Sequence, residues 1–267
     1  MNKVASDDAE IFYDISGSGP PVLLLHPFPA HHEFWLPPAP LLASRYRLVM
    51  PDLRGHGESS LGTGAATMDK HALDLRRVLD AEGIGQAPLV GVSIGGYIAF
   101  EFWRRFRDRL TGLVLSNTKA SEDTPEARSA RLEAARDVVK RGTGPFFESM
   151  LTKLLGETTR RSRPDLVEGA LAMMRKMSAE DVAAVQRGMA ERPDSTSTLK
   201  AISVPVLIIT GDEDILTGVP EAELMKQHIP GSQLKIIPKA GHYSPWEQPE
   251  NVGRLVRSFL DSLRRSA

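Results

Sequence analysis

At Gly91-Val92-Ser93-Ile94-Gly95 an apolar run over 89–92 meets a stretch of helical period over 94–106, with a serine at the junction and glycines two residues to either side. Few backbones accommodate this. Where a strand turns sharply into a helix, the two approach so closely that β-carbons at the flanking positions would collide, and the serine is left on a strained turn at the strand's end. Strand and helix must then pack on each other, which is the unit from which parallel sheets are built. The turn also aims the helix N-terminus and the Ile94 backbone N–H at the space beside the hydroxyl, a setting that favours negative charge.

The rest of the chain keeps the same rhythm. Short β-branched or Leu-rich runs over 11–16, 22–26, 47–51, 89–92, 112–116, 204–210 and 233–238 predict strands, with 11–16 alternating as an edge strand would. Helices are predicted over 67–82 and 94–106, and a last helix carries Val252, Leu255, Val256, Phe259, Leu260 and Leu263 at the spacing of one buried stripe. The implied fold class is α/β, a mostly parallel sheet flanked by helices. One connection is too long: roughly 85 residues separate the strands ending near Ser116 and starting near Val204, where a crossover needs about a dozen. Its content reads as helical over 125–141, 144–155 and 165–177, with a further helix capped by Ser178. The expected division is a core of residues 1–118 and 203–267 with a helical cap, 119–202, inserted in it. Met150, Met173, Met174, Met177 and Met189 fall in that cap, either as an adaptable pocket wall or as filling of the cap's own interior. Tyr97, Met150, Met173 and Trp246 are the candidate pocket residues.

Composition removes several functions. Lys and Arg number 33 against 34 Asp and Glu, so no basic field is available to hold nucleic acid. There is no cysteine, which excludes disulfides, thiolate metal sites and a cysteine nucleophile. The N-terminal residues lack the apolar core of a signal peptide, and the apolar runs are too short to span a bilayer. A cytoplasmic protein with no membrane or nucleic-acid partner is expected, and a homodimer is left open.

A serine hydroxyl is a weak nucleophile and needs a base. Of the seven histidines, His242 lies in the loop after the strand 233–238, at the same sheet edge as Ser93. His26 and His56 are embedded in the turns His26-Pro27 and Arg54-Gly55-His56-Gly57, where a structural imidazole is expected. His31 and His32 point apart as neighbours and lack the i, i+4 spacing of a helical metal pair, so no metal is predicted; either could line a pocket entrance. His71 and His228 fall within helices and are expected to be solvated. A carboxylate should orient the base, and Gly211-Asp212-Glu213-Asp214 follows a strand directly. Asp214 is the candidate, with Asp212 and Glu213 as capping residues, and the preceding strand ends in Asn117 rather than an acid. A second oxyanion donor should come from the loop after 22–26, where Phe28 keeps its N–H between Pro27 and Pro29.

Taken together, His26-Pro27-Phe28, Asp52-Leu53-Arg54-Gly55-His56-Gly57, Gly91-Val92-Ser93-Ile94-Gly95-Gly96, Gly211-Asp212-Glu213-Asp214 and Gly241-His242 resemble the α/β-hydrolase superfamily along essentially the whole chain. Within it the sequence is similar to the capped bacterial branch of small carboxylesterases and oxoadipate enol-lactonases. The resemblance implies Ser93 as nucleophile, His242 as base, Asp214 as its orienting acid, and the Phe28 and Ile94 amides as the oxyanion hole, with no cofactor. Pro27 departs from the glycine that relatives commonly carry there. The implied substrate is a small or medium ester; an enol-lactone or a carbon–carbon bond comes second, and cofactor-free peroxide chemistry or ligand reception third. From Lys119 to Lys200, 15 Lys and Arg stand against 13 Asp and Glu, an excess too small to choose between esters and acidic lactones.

Overall fold

The computed structural model describes residues 2–265. Its strands are β1 Asn2–Ser6, β2 Ala9–Ser16, β3 Pro21–Leu25, β4 Arg47–Pro51, β5 Ala87–Val92, β6 Leu110–Ser116, β7 Val206–Gly211 and β8 Gln233–Ile237. They form one sheet in the order β1-β2-β4-β3-β5-β6-β7-β8. The pairs β1–β2 and β2–β4 are antiparallel and all others parallel. Val22, Leu23, Leu24 and Leu25 of β3 are all buried, because a strand covered by helices on both faces has no side for water. The strand expected at the edge, β2, lies one place in. Outside it β1 alternates between partly buried and exposed residues, and its sequence Asn-Lys-Val-Ala-Ser offers too little apolar signal to announce a strand.

Helices α1 Ala39–Ala43, α2 Met68–Ala81 and α3 Ile94–Phe106 precede a long insertion after β6. The insertion holds α4 Pro125–Arg141, α5 Gly144–Leu154, α6 Glu157–Ser162, α7 Pro164–Met174, α8 Ala179–Ala190 and α9 Thr196–Leu199, and the chain ends with α10 Val219–His228, α11 Ser244–Glu247 and α12 Pro249–Leu263. α2 packs on α3, and α1 on α12. Gly112 of β6 leaves room for Leu263 and Phe259 of α12, whose side chains a β-carbon there would meet. α7 stops short of the expected 177. Ser178 caps α8 from an extended conformation, accepting the Asp181 N–H while the Asp181 carboxylate accepts the Ser178 N–H, so the chain must leave the helix before it.

Within the insertion α4 packs along α8. The block is tied to the sheet at several points. Ala66 N–H donates to Ala184 O (3.1 Å), and Gly188 has no β-carbon to strike the Ala66 carbonyl. The Glu213 carboxylate, from the loop after β7, accepts the Thr158 N–H (2.8 Å) in the first turn of α6.

His26, His56 and His71 lie in the interior. His71 was expected in solvent, but it falls on the face of α2 that buries Met68, Ala72 and Leu75, and the polar residues interrupting that stripe hid it. Burial, followed by the His56 charge, holds His26 and His71 well below the ordinary imidazole value, and burial holds His56 at about 4. All three are neutral in the fold and protonate near 6.5 once the chain unfolds. The unfolded state therefore binds more protons below that pH, and stability falls as pH drops. His32 is shifted the other way, upward, by Asp52 against the pull of burial, and offsets part of this. Denaturant unfolding at pH 5.5 should give a free energy roughly 3 kcal/mol below that at pH 7.5: each of the three neutral imidazoles contributes about 1.4 kcal/mol over the whole interval, His31, also lowered by burial, adds in the same direction, and His32 takes part of the total back. Equal stability at the two pH values would contradict the neutral core histidines.

Candidate active site

Ser93 sits between β5 and α3 with φ 55° and ψ −114°, a conformation a non-glycine residue holds only when its surroundings dictate it. They do so here. Ser93 N–H donates to Ser116 O (3.0 Å) in β6, and its carbonyl accepts the Thr118 hydroxyl (2.8 Å) and the Gly96 N–H (2.9 Å). A β-carbon on Gly91 would lie 2.4 Å from the Gly95 carbonyl oxygen, and one on Gly95 2.9 Å from Leu25. The glycines required by the sequence pattern are thus required by contact.

His242 follows β8, and its Nδ1 lies 3.0 and 3.1 Å from the two Asp214 carboxylate oxygens. Asp214 is buried, yet its oxygens are saturated with donors: Oδ1 accepts the N–H groups of Leu216 (2.8 Å) and Thr217 (3.1 Å), and Oδ2 accepts Asn117 Nδ2 (2.9 Å) and Thr217 Oγ1 (2.9 Å). Burial pushes this carboxyl upward, but the His242 charge, its hydrogen bond and that of Asn117 outweigh it and hold the pKa far below the ordinary value. An ionised Asp214 selects the imidazole tautomer with the proton on Nδ1 and leaves Nε2 as a base. The histidine loop is clamped from behind by Glu247, which accepts the N–H of Gly241 (2.9 Å) and of Gly156 (2.8 Å). Asp212 and Glu213 are engaged elsewhere, Asp212 with the Ala240 N–H (3.4 Å) and Glu213 with α6.

Phe28 follows β3 in a loop fixed by His26, whose Nε2 accepts the Leu53 N–H (2.9 Å) while Nδ1 pairs with Pro27 O (2.9 Å). The imidazole locks this loop to the turn after β4, so His26 is structural. His56 is engaged with Arg54 O (3.1 Å), and the Arg54 guanidinium makes a two-pronged contact with Asp74 at 3.0 and 2.8 Å.

Ser93, His242, Phe28, Tyr97, Met150 and Thr217 share the wall of one cavity of about 340 Å³ with, among others, Lys119, Asp123, Arg131, Lys153, Gln186 and Met189 from around the insertion. No hydrogen bond joins Ser93 Oγ to His242 among the described residues; such contacts commonly close only with substrate bound. Two candidate pocket residues lie elsewhere. The Trp246 indole donates to Leu166 O (3.1 Å) and lies against Gly169 of α7, anchoring the insertion, and Met173 is buried within α7. The methionines thus divide: Met150 and Met189 face the cavity, while Met173, Met174 and Met177 are buried off it. A larger apolar cleft of about 450 Å³ lies at Pro20, Pro88 and Pro205, where strands begin, the end of a parallel sheet that does not hold ligands. His31 and His32 do not diverge. Their ring centroids are 5.3 Å apart, and with Asp52 they form the one group of three or more His, Asp or Glu among the described residues whose possible ligand atoms all lie within 4.8 Å of each other. The Asp52 carboxylate already accepts the His32 N–H (2.7 Å), its Nδ1 (2.8 Å) and the Glu58 N–H (2.8 Å).

Asn117, Thr217 and the charged group around Asp123 were not anticipated. Donors for a carboxylate so fully solvated by protein could have been sought in the loops beyond the strand ends, Asn117 directly after β6 and Thr217 in the loop that carries Asp214.

The model of the family described as alpha/beta hydrolase fold matches residues 20–249. The chain belongs to the α/β-hydrolase family. Among relatives of this α/β-hydrolase, 3-oxoadipate enol-lactonase 1 of Acinetobacter baylyi is 29% identical, with 92% of this chain and 91% of that protein covered. A non-heme haloperoxidase of Rhodococcus erythropolis is 28% identical over 97% and 98% of the two chains. Among solved structures, a thermophilic esterase from Thermogutta terrifontis with malate bound superposes with a TM-score of 0.95 at 40% identity, covering 98% of each chain. The α/β-hydrolase family therefore holds esterase, lactonase and haloperoxidase relatives of this chain at full length. Among the described residues, no helix is long and apolar enough to cross a membrane.

Proposed function

We propose that this α/β-hydrolase is a serine carboxylic ester hydrolase that works through an acyl-enzyme on Ser93, with residues 119–202 as a cap over the site. The observation that carries the proposal is the strained Ser93 on the same cavity as His242, itself bonded to a saturated Asp214. Ser93 Oγ attacks the ester carbonyl as His242 Nε2 takes its proton. Asp214 stays ionised and stabilises the imidazolium. The oxyanion is met by the backbone N–H groups of Ile94, at the start of α3, and Phe28. On collapse the C–O bond breaks, the imidazolium protonates the departing alcohol, and water, deprotonated by His242, repeats the sequence to release the acid and restore Ser93. An enol-lactone would follow the same steps with the enol as leaving group, and the cationic lining of the cavity favours this as a second reading.

Purified protein should hydrolyse p-nitrophenyl acetate and butyrate with kcat/KM on the order of 10⁴ M⁻¹s⁻¹, the lower range of enzymes on serviceable substrates. Absence of turnover of both esters would contradict the esterase reading.

A further inference from the structure

Lys119, Arg131 and Arg192 gather around Asp123 at the insertion side of the cavity. The Asp123 carboxylate accepts Arg131 Nε (2.5 Å) and Arg192 Nη1 (2.8 Å), and Lys119 Nζ stands 3.7 Å from it. Burial raises this carboxyl, but the arginines hold it at about 2, so it is ionised and offsets one positive charge. A second acid, Glu221 on α10, accepts the Ser121 hydroxyl (3.1 Å) and acts on Lys119 and Arg192 through space. Positive charge is left over even with Glu221 counted.

The surplus falls at particular atoms. Arg192 is engaged elsewhere: besides Asp123 it donates to Met189 O (3.1 Å) and Ser121 O (3.0 Å), and its guanidinium lies over the Tyr97 ring at 4.3 Å. Arg131 is committed at Nε to Asp123 and at Nη1 to Gln186 (3.2 Å), with 24% of its side chain exposed. Lys119 makes no side-chain hydrogen bond among the described residues, is 17% exposed, and borders the cavity with Arg131. Burial and then the Arg192 charge depress the Lys119 ammonium, the condition that a bound anion relieves. The same cavity wall carries the apolar residues Phe28, Ala130, Phe146, Met150 and Leu216 beside Ser93 and these cations, with Lys153 as a further cation on it. A ligand matching this wall has an ester or lactone at one end, a short carbon chain, and a charge-assisted acceptor at the other.

We propose that Lys119 and Arg131 form a carboxylate-binding subsite, and that the preferred substrates are esters or lactones carrying a second, ionised carboxylate away from the scissile bond. This inference rests on Ser93 being the nucleophile. The competing role for the same cations is to hold the insertion together through Asp123 alone.

The two are separated by comparing monomethyl adipate with dimethyl adipate, by pH-stat, in the wild type and in Lys119→Met and Arg131→Met. The wild type is expected to favour the monoanion by at least about tenfold in kcat/KM, the scale of one charged hydrogen bond, and the preference should shrink with added NaCl. Each variant should cut that preference about tenfold, and Lys119→Glu should reverse it. Equal or better turnover of the diester by the wild type, or variants that slow both esters in proportion, would overturn the subsite. Calorimetric titration of free adipate into wild type and Lys119→Met needs no chemistry. If neither ester turns over, binding lost in the variant upholds the subsite while the esterase reading fails, and absence of binding to the wild type overturns the subsite.

Discussion

Ser93→Ala is expected to lower kcat on p-nitrophenyl butyrate by about 10⁶-fold, and His242→Ala by a comparable factor, because in the proposed mechanism nucleophile and base act as one unit and either deletion removes the covalent route. The double variant should be little worse than either single one, since the backbone donors at Phe28 and Ile94 survive in all three. Folding is the control. Ser93 makes its structural hydrogen bonds through its backbone, which alanine keeps, although at φ 55° alanine retains the strain without the hydroxyl. The Ser93→Ala melting transition should therefore stay close to the wild type while turnover disappears. A variant retaining a tenth of the wild-type rate would remove Ser93 from the mechanism.

The second large effect belongs to Asp214. Asp214→Asn should cost about 10⁴-fold in kcat, since an amide in that place can donate to Nδ1 and so favour the tautomer with Nε2 protonated, which is no longer a base. The carboxylate also answers the Leu216 N–H, the Thr217 N–H and hydroxyl, and Asn117 Nδ2, and the asparagine amide cannot accept from all of them. Some loss of stability, about 1–3 kcal/mol for a buried donor left unanswered, should accompany the loss of rate. Asn117→Ala provides the comparison: it removes one donor to Asp214 but leaves the carboxylate on His242, so its rate should fall far less, by about tenfold. Asp212→Asn, at a residue engaged with Ala240, should behave like the wild type. A greater loss in Asp212→Asn than in Asp214→Asn would reassign the acid.

Much of this was legible in the sequence because the steric demands are local. Gly91 and Gly95 flank Ser93 for reasons contained in one turn, and the strand and helix on either side carry their own apolar signals. His242 and Asp214 were legible because each lies in a loop that follows a strand at the same sheet edge. The oversights have a different origin. β1 lies at the sheet edge, and α10 has only Ala222 and Met225 buried, so neither carries a strong periodic pattern. Met173 and Trp246 were placed at the pocket by residue type, whereas their positions depend on how α7 meets the core, which no local spacing encodes. The charged group illustrates the limit best. Lys119 and Asp123 lie before α4, Arg131 within it and Arg192 beyond α8, so a tally of 15 cations against 13 acids over 119–200 averages away a concentration that exists only after α4 packs on α8.

The central claim, that Ser93 forms a covalent acyl intermediate, is tested most directly by treating the native protein with a fluorophosphonate and mapping the modified peptide by mass spectrometry. A serine activated by His242 and facing the oxyanion donors should be modified at one stoichiometric position, Ser93, with loss of labelling in His242→Ala and in heat-denatured protein. Failure of the native protein to label, or labelling at another residue with Ser93 untouched, would contradict the account.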